Sequence, residues 1–338
     1  MSSTTVTDNP EQLLAAGQAS GAAAFRLWGQ GLIASALWGL AWLVTARWPD
    51  IDELGRTQEM AAVFGGVALA LLLAATLGQR GGSPLRRIRP AGLWLIALGS
   101  LFLVWELATA KLAWVPRPFF VAPQDLLEVY LDDWAKLGNC VGHSLALLTT
   151  GYVLGAATGF AVGVAVGWSR AVAYWGHPIL RFIGPLPATA WLPIAFFAFP
   201  SSWSASVFLI GLATGVPVAI LTWSGVASVS SSYYDIARTL GASQRFLILK
   251  VAIPAAMPSV FVGLFMGLSS SFAVLVIAEM MGVKAGLGWY LQWAQGWAAY
   301  ANMYAALLIL AVVCSSLVTL LFKARDHLLA WQKGLLRW

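Results

Sequence analysis

A chain of 338 residues with 59% apolar and 10% charged residues and a mean hydropathy of +0.77 lies far from the roughly 25% charge of soluble domains. That excludes a water-soluble globular fold. The net charge of +6 comes with no basic run set in a soluble recognition fold, so it reads as membrane topology and lipid headgroup contact, with no nucleic acid. The apolar runs are about 20 residues long, suited to helices crossing a core of roughly 30 Å and not to the ~10-residue alternation of a barrel. The expected fold class is all-α, a polytopic membrane helical bundle.

In chain order, residues 1–24 have no basic segment ahead of an apolar core and read as a cytoplasmic tail, not a cleaved leader. Apolar spans follow near 27–46, 60–78, 91–110, 144–167, 179–199, 205–227, 256–282 and 303–322, giving about eight transmembrane helices. The fifth contains Pro185, Pro187 and Pro193 and ends at Pro200, and is expected to be broken and buried among other helices that satisfy its freed carbonyls. Counting Lys and Arg on the two sides gives fourteen against six, densest in "RGGSPLRRIRP", which places both termini inside. Cys140 falls outside the membrane and Cys314 inside the last span, too far apart for a disulfide. His143, His177 and His327 are scattered, with no metal-ligand spacing around them. Several of the eighteen Trp, including Trp28, Trp48, Trp105, Trp114, Trp168 and Trp203, sit at span ends as interfacial anchors.

The loop 228–255 interrupts this apolar pattern with "DIARTLGASQRFLILKVAIP". Burying Asp235, Arg238, Arg245 and Lys250 in lipid would cost on the order of 10 kcal/mol, at about 2.5–3.5 each, so the loop lies outside the bilayer. "SSYYDIARTL" reads as a short helix with Ser232 as N-cap and Asp235 closing a capping box. Gly241 supplies a left-handed end, and Ser243 caps a second helix that enters the next span at Pro254.

Glycine recurs every fourth residue in "GYVLGAATGFAVGVAVG", at Gly151, Gly155, Gly159, Gly163 and Gly167, a spacing that suits close helix packing. Glu279, near the outer end of the seventh span, is expected to brace the "KAGLG" segment that follows. Glu106, near the end of the third, reads as a snorkelling surface acid. Ser269, Ser270 and Ser271 offer uncharged hydroxyls, either to a pathway or back to their own helix.

The loop spacing resembles the signature of permease subunits of binding-protein-dependent ABC importers, in which Glu-Ala-Ala is followed by Gly and later by an Ile-x-Leu-Pro end. Asp235, Ile236 and Ala237 stand in the first three positions, Gly241 at the turn, and Val251, Ala252, Ile253 and Pro254 at the end, with Asp for Glu and Ile for Ala as departures. The stretches "GHSLALLTTGYVLGAATGFAVGVAVGWS", "ILRFIGPLPATAWLPIAFFAF" and "FAVLVIAEMMGVKAGLGW" look most like the branch importing nitrate, sulfonates, taurine and similar oxoanions.

The resemblance implies a type I importer core of six helices at 91–338, preceded by an extension at 25–90 with two extra helices and a basic loop, which would serve insertion, stability or partner contact. It also implies a cytoplasmic coupling helix with Asp235, Ile236, Ala237, Arg238, Gly241 and Ala242 facing ABC ATPase subunits, and pathway candidates Thr189, Ser269, Ser270, Ser271 and Glu279. A second permease copy and an external substrate-binding protein complete the expected partners, in a bacterial inner membrane. No G-x-x-x-x-G-K-[ST] stretch is present, so the chain is read as a transport subunit and not an enzyme, with no cofactor of its own; ATP and Mg belong to the partner ATPase. A secondary transporter would carry mid-depth charges and an internal repeat, and a membrane-embedded enzyme a reactive constellation; neither pattern is apparent.

Overall fold

The computed structural model describes residues 28–77 and 84–331; the expected tail at 1–24 and Arg80 lie outside them. Among the described residues every regular element is helical. Seven helices are long and apolar enough to cross a membrane, or eight when the bent pair at 170–198 is counted as one span. The chain divides into two compact units, Met1–Glu128 and Val129–Trp338.

In the first unit, α1 (Gly29–Arg47) packs against both α2 (Thr57–Leu77) and α3 (Gly92–Glu106). Their meeting point is aromatic: Trp38, Phe64 and Phe102 from the three helices form a triangle with ring centroids 5.5–5.8 Å apart. Such pairs contribute about 0.5–1.5 kcal/mol each beyond burial. The Trp38 indole also donates to Leu95 O at 3.1 Å, so the ring that fills the core cross-links α1 to α3. The last turn of α3 widens into π geometry over Leu107–Lys111. Glu106 is here fully buried, not a surface acid. A hydropathy window cannot distinguish the lipid face of a span from the face covered by a neighbour, and Glu106 lies on the covered one, accepting from Gln124 Nε2 at 2.7 Å.

The division between the units falls within α4 (Pro123–Asp132). In the second unit, α5 (Trp134–Trp168) has 35 residues, about 50 Å of helix, so it is longer than the bilayer core. It runs against α8 (Ser202–Ala227), which also packs on α10 (Ile253–Gly282). The α5–α8 seam is built from small residues: a Cβ on Gly155 would collide with the Gly211 carbonyl and one on Gly159 with that of Gly215, so only glycine permits this backbone approach. Gly151 and Gly163 are likewise buried against Ile210 and Thr222, while Gly167, half-buried, meets Val226.

Between these helices, α6 (Arg170–Ile183) is followed by a tight turn at Ala188–Trp191 and then α7 (Leu192–Ala198), the pair bent by 88°. Pro185 and Pro187 lie at the break, as proline chemistry requires. Its burial differs from expectation: Leu180, Leu192 and Ala195 are covered, but Phe182, Ile194 and Phe197 are exposed. Local turns explain this, since Leu186 N donates to Ile183 O and Ala190 N to Pro187 O, relieving neighbouring helices of that task. The remaining helices are α9 (Ser231–Thr239), α11 (Leu287–Gly296) and α12 (Tyr300–Leu328). Cys140, expected outside the membrane, is buried in α5 beside Leu287 and Tyr290, because α5 begins ten residues before the expected span and α11 folds onto that added length. Cys140 and Cys314 are both free thiols.

Candidate functional site

Three features of the second unit bring the sequence candidates together or separate them. The first is the loop after α8. Ser230, not Ser232, caps α9, its Oγ accepting from Ser232 N at 3.4 Å. The helix begins two residues earlier than the capping-box reading requires, which leaves Asp235 paired with Arg238 at 3.5 Å on the exposed surface. Gly241 has φ +80°, and its N–H donates to Arg238 O while Ala242 N–H donates to Ala237 O, closing the helix end. Ser243 caps the next turn through Phe246 N at 3.3 Å. A wide π turn at Leu247–Ala252 then leads straight into α10, anchored by buried Leu247 and Ala252.

One side chain holds α9 to the spans. Tyr234 packs edge-on against Trp168 at the end of α5, with ring centroids 5.6 Å apart, above Val226 and Ala256, and burial pushes its phenol above the ordinary value. The other face leaves Tyr233, Ile236 and Leu240 exposed by 62, 61 and 83%. These positions at i, i+3 and i+7 form one apolar stripe, with half-buried Ala237 within it. The sequence reading named Ile236 but favoured the charges and missed Tyr233 and Leu240; helical spacing within the loop was the available signal.

The second feature is a cavity of about 570 Å³ at the break between α6 and α7. Pro185, Pro187, Ala188 and Thr189 form one wall, Ala213, Val216 and Pro217 of α8 another, and Met266, Ser270 and Ala273 of α10 a third. Its lining carries no charged side chain; Thr189 and Ser270 supply its hydroxyls. The three serines therefore separate. Ser269 Oγ donates to Phe265 O at 3.0 Å, and buried Ser271 Oγ to Leu268 O at 2.8 Å, so both return their hydrogen to the helix.

Glu279 lies away from that cavity and supports the start of α11. Buried Ser144 Oγ donates to Glu279 Oε1 at 2.7 Å and accepts from Leu287 N at 2.8 Å, while Gly288 N donates to Glu279 Oε2 at 2.8 Å. The carboxyl thus receives the Gly288 N–H directly and the Leu287 N–H through the Ser144 hydroxyl, at the end of the helix where the partial positive charge of its dipole lies. Gly286 has φ +129°, and a Cβ there would strike the carboxyl. Further along, Tyr290 OH donates to Asp133 Oδ2 at 2.7 Å and Asn302 Nδ2 to the same oxygen at 3.2 Å, tying α11 and α12 to the start of α5.

Comparison with known proteins identifies the family. The family described as binding-protein-dependent transport system inner membrane component matches residues 151–330. A probable ABC transporter permease of Brucella abortus (strain 2308) is 30% identical over 249 residues, 73% of this chain and 98% of its own. A bicarbonate transport system permease of Synechococcus elongatus (strain ATCC 33912 / PCC 7942 / FACHB-805) is 33% identical over 72% of this chain and 88% of its own, and a nitrate import permease of Leptolyngbya laminosa 30% identical over 73% and 88%. Among solved structures, a chain of the inward-facing MetNI methionine ABC transporter aligns with TM-score 0.48 and 17% identity, covering 58% of this chain and 95% of that one. The chain belongs to the family of inner-membrane components of binding-protein-dependent transport systems, as an ABC importer permease subunit.

Proposed function

We propose that this subunit forms the translocation pathway for a small oxoanion-type solute, with nitrate, sulfonate, taurine and bicarbonate as the chemical range, and that a separate ATPase using ATP and Mg drives it through α9. The observation that carries this reading is the apolar stripe Tyr233, Ile236 and Leu240, held outward on a helix whose end is fixed by Gly241 and whose root is Tyr234 against Trp168. Three large apolar side chains in water are unfavourable by about 1.5–3 kcal/mol each relative to burial, so the stripe suits a partner's cleft. Asp235, Arg238 and Ala242 lie at its margin. The loop's charge and the fourteen-to-six count place it in the cytoplasm with both termini, and a binding protein delivers solute from the opposite side. A second copy of the chain completes the pathway.

The neutral cavity fits this division of labour. Thr189 and Ser270 offer hydroxyl donors to an oxoanion without a cation that would hold it, and choice of solute then rests with the binding protein. Co-purification tests the reading. Leu240→Asp should accumulate and melt as wild type yet retain at least tenfold less ATPase, the effect of about 1.4 kcal/mol lost from the interface. Undiminished ATPase recovery with Leu240→Asp would remove the stripe from the mechanism, and a wild-type chain that brings down no ATPase would favour a self-contained transporter.

A further inference from the structure

The end of α3 holds a cluster of buried polar groups that no transport role above uses. Lys111 is fully buried, and its three N–H donors are all taken, by Trp48 O at 2.6 Å, Asp50 Oδ1 at 2.6 Å and Thr45 O at 3.3 Å. Glu106, one helical turn earlier and equally buried, lies 3.7 Å from that ammonium, beyond hydrogen-bond reach. Its Oε1 accepts from Gln124 Nε2 at 2.7 Å. Its Oε2 has no partner, nor have Gln124 Oε1 and Thr45 Oγ1, all three buried.

The inventory is one donor short: of the three orphaned groups only the Thr45 hydroxyl carries a hydrogen, and that one hydrogen cannot serve both Glu106 Oε2 and Gln124 Oε1. Gln124 already gives its amide hydrogen to one carboxyl oxygen, and its own oxygen and the second carboxyl oxygen are both without a hydrogen. The charge count agrees. The groups facing Glu106 are Thr45 of α1, Asp50 just beyond it, Lys111 of its own segment and Gln124 of α4; Lys111 and Asp50 neutralise each other, so an ionised Glu106 would leave one uncompensated negative charge inside a span, a costly state.

We propose that Glu106 Oε2 is a proton-binding site: the side chain is held as the carboxylic acid, donating to Gln124 Oε1 while accepting from Gln124 Nε2. One added hydrogen joins Glu106 Oε2 to Gln124 Oε1 and brings the cluster of Lys111, Asp50 and Glu106 to zero net charge. The acid–amide pair fastens α3 to α4 while the ammonium fastens it to the end of α1, so the bound proton completes the polar fastening of the N-terminal unit.

Infrared difference spectroscopy on the full chain in lipid reads this directly. Wild type minus Glu106→Gln should show a carboxylic C=O absorption that the variant lacks, and Gln124→Leu should move that band to higher frequency by removing its hydrogen-bond partners. A difference spectrum showing an ionised carboxylate in place of the acid band overturns the proposal. A carboxylate signal that shifts when Na⁺ replaces choline would assign the site to a cation instead, and also overturns it. Should Glu106→Gln fail to accumulate, Gln124→Leu decides alone: an acid band that moves supports the site, and a spectrum identical to wild type rejects it.

Discussion

The short helices α9 and α11 have nearly the same length, nine and ten residues, and both interrupt the sequence between long spans, yet they are held in opposite ways. Around α11 the side chains of Ser144, Glu279, Asp133 and Asn302 converge, and Leu287, Tyr290 and Ala294 are buried. Around α9 one aromatic contact does the fastening, and the large apolar residues point outward. A helix with a buried face and hydrogen bonds to three neighbours belongs to the frame, whereas one fixed at its root with a greasy free face is built to be completed by something else. Substitutions in α11 should therefore register as lost stability, and those in α9 as lost association.

The largest effect is expected at Glu279. Glu279→Ala leaves the hydrogen of the Ser144 hydroxyl and the Gly288 N–H buried without acceptors, at about 1–3 kcal/mol each. Thermal unfolding of the purified chain should show this loss, with the isosteric Glu279→Gln milder. An alanine variant that melts with wild type would mean that packing alone holds α11, and the contrast with α9 would fail.

Gly241→Val comes next and should act differently. A β-branched residue at φ +80° costs about 1–3 kcal/mol of local strain, enough to tilt α9 or weaken its docking by one to two powers of ten. Nothing crowds the position, so insertion and accumulation should remain normal while uptake and stimulated ATP hydrolysis in vesicles fall. Equal loss of chain accumulation would make the loop part of the frame.

A cysteine at Trp134, exposed at the start of α5, sharpens the comparison by fixing which side each helix occupies. With Cys314 replaced, a membrane-impermeant thiol reagent should label Trp134→Cys in intact cells and leave wild-type Cys140 unmodified, because that thiol is buried. Labelling only after permeabilisation would reverse the orientation. The smallest effect is expected for Asp235→Ala, which removes an exposed pair with Arg238 worth at most about 1 kcal/mol. ATPase recovery should fall by no more than about fivefold.

The extension carries a related consequence. The extension at 25–90 is expected to serve insertion, stability or partner contact, and within it Thr45, Trp48 and Asp50 supply every hydrogen-bond acceptor of Lys111. A chain starting near residue 86 retains that lysine without its partners. Such a buried cation is a mechanism for destabilisation independent of transport.

Much of this molecule was legible from residue type and spacing alone. Runs of apolar residues about as long as a bilayer is thick fix the spans, because a backbone in hydrocarbon has no partner outside its own helix. Gly241 and Ser243 announced a turn and a cap, since positive φ and N-cap bonding are local properties of those residue types. The brace at Glu279 was readable because the acid and the glycine segment it holds lie within ten residues of each other.

What the sequence could not supply were the relations between distant segments. The division of Ser269, Ser270 and Ser271 between cavity and helix depends on which way α10 is turned against α8 and the α6–α7 break. The burial of Glu106 depends on Thr45, Asp50 and Gln124 arriving from elsewhere in the chain, and that of Cys140 on α11 folding back more than 140 residues later. One face of a helix looks like any other until a neighbour covers it, and only the tertiary structure determines which faces those are.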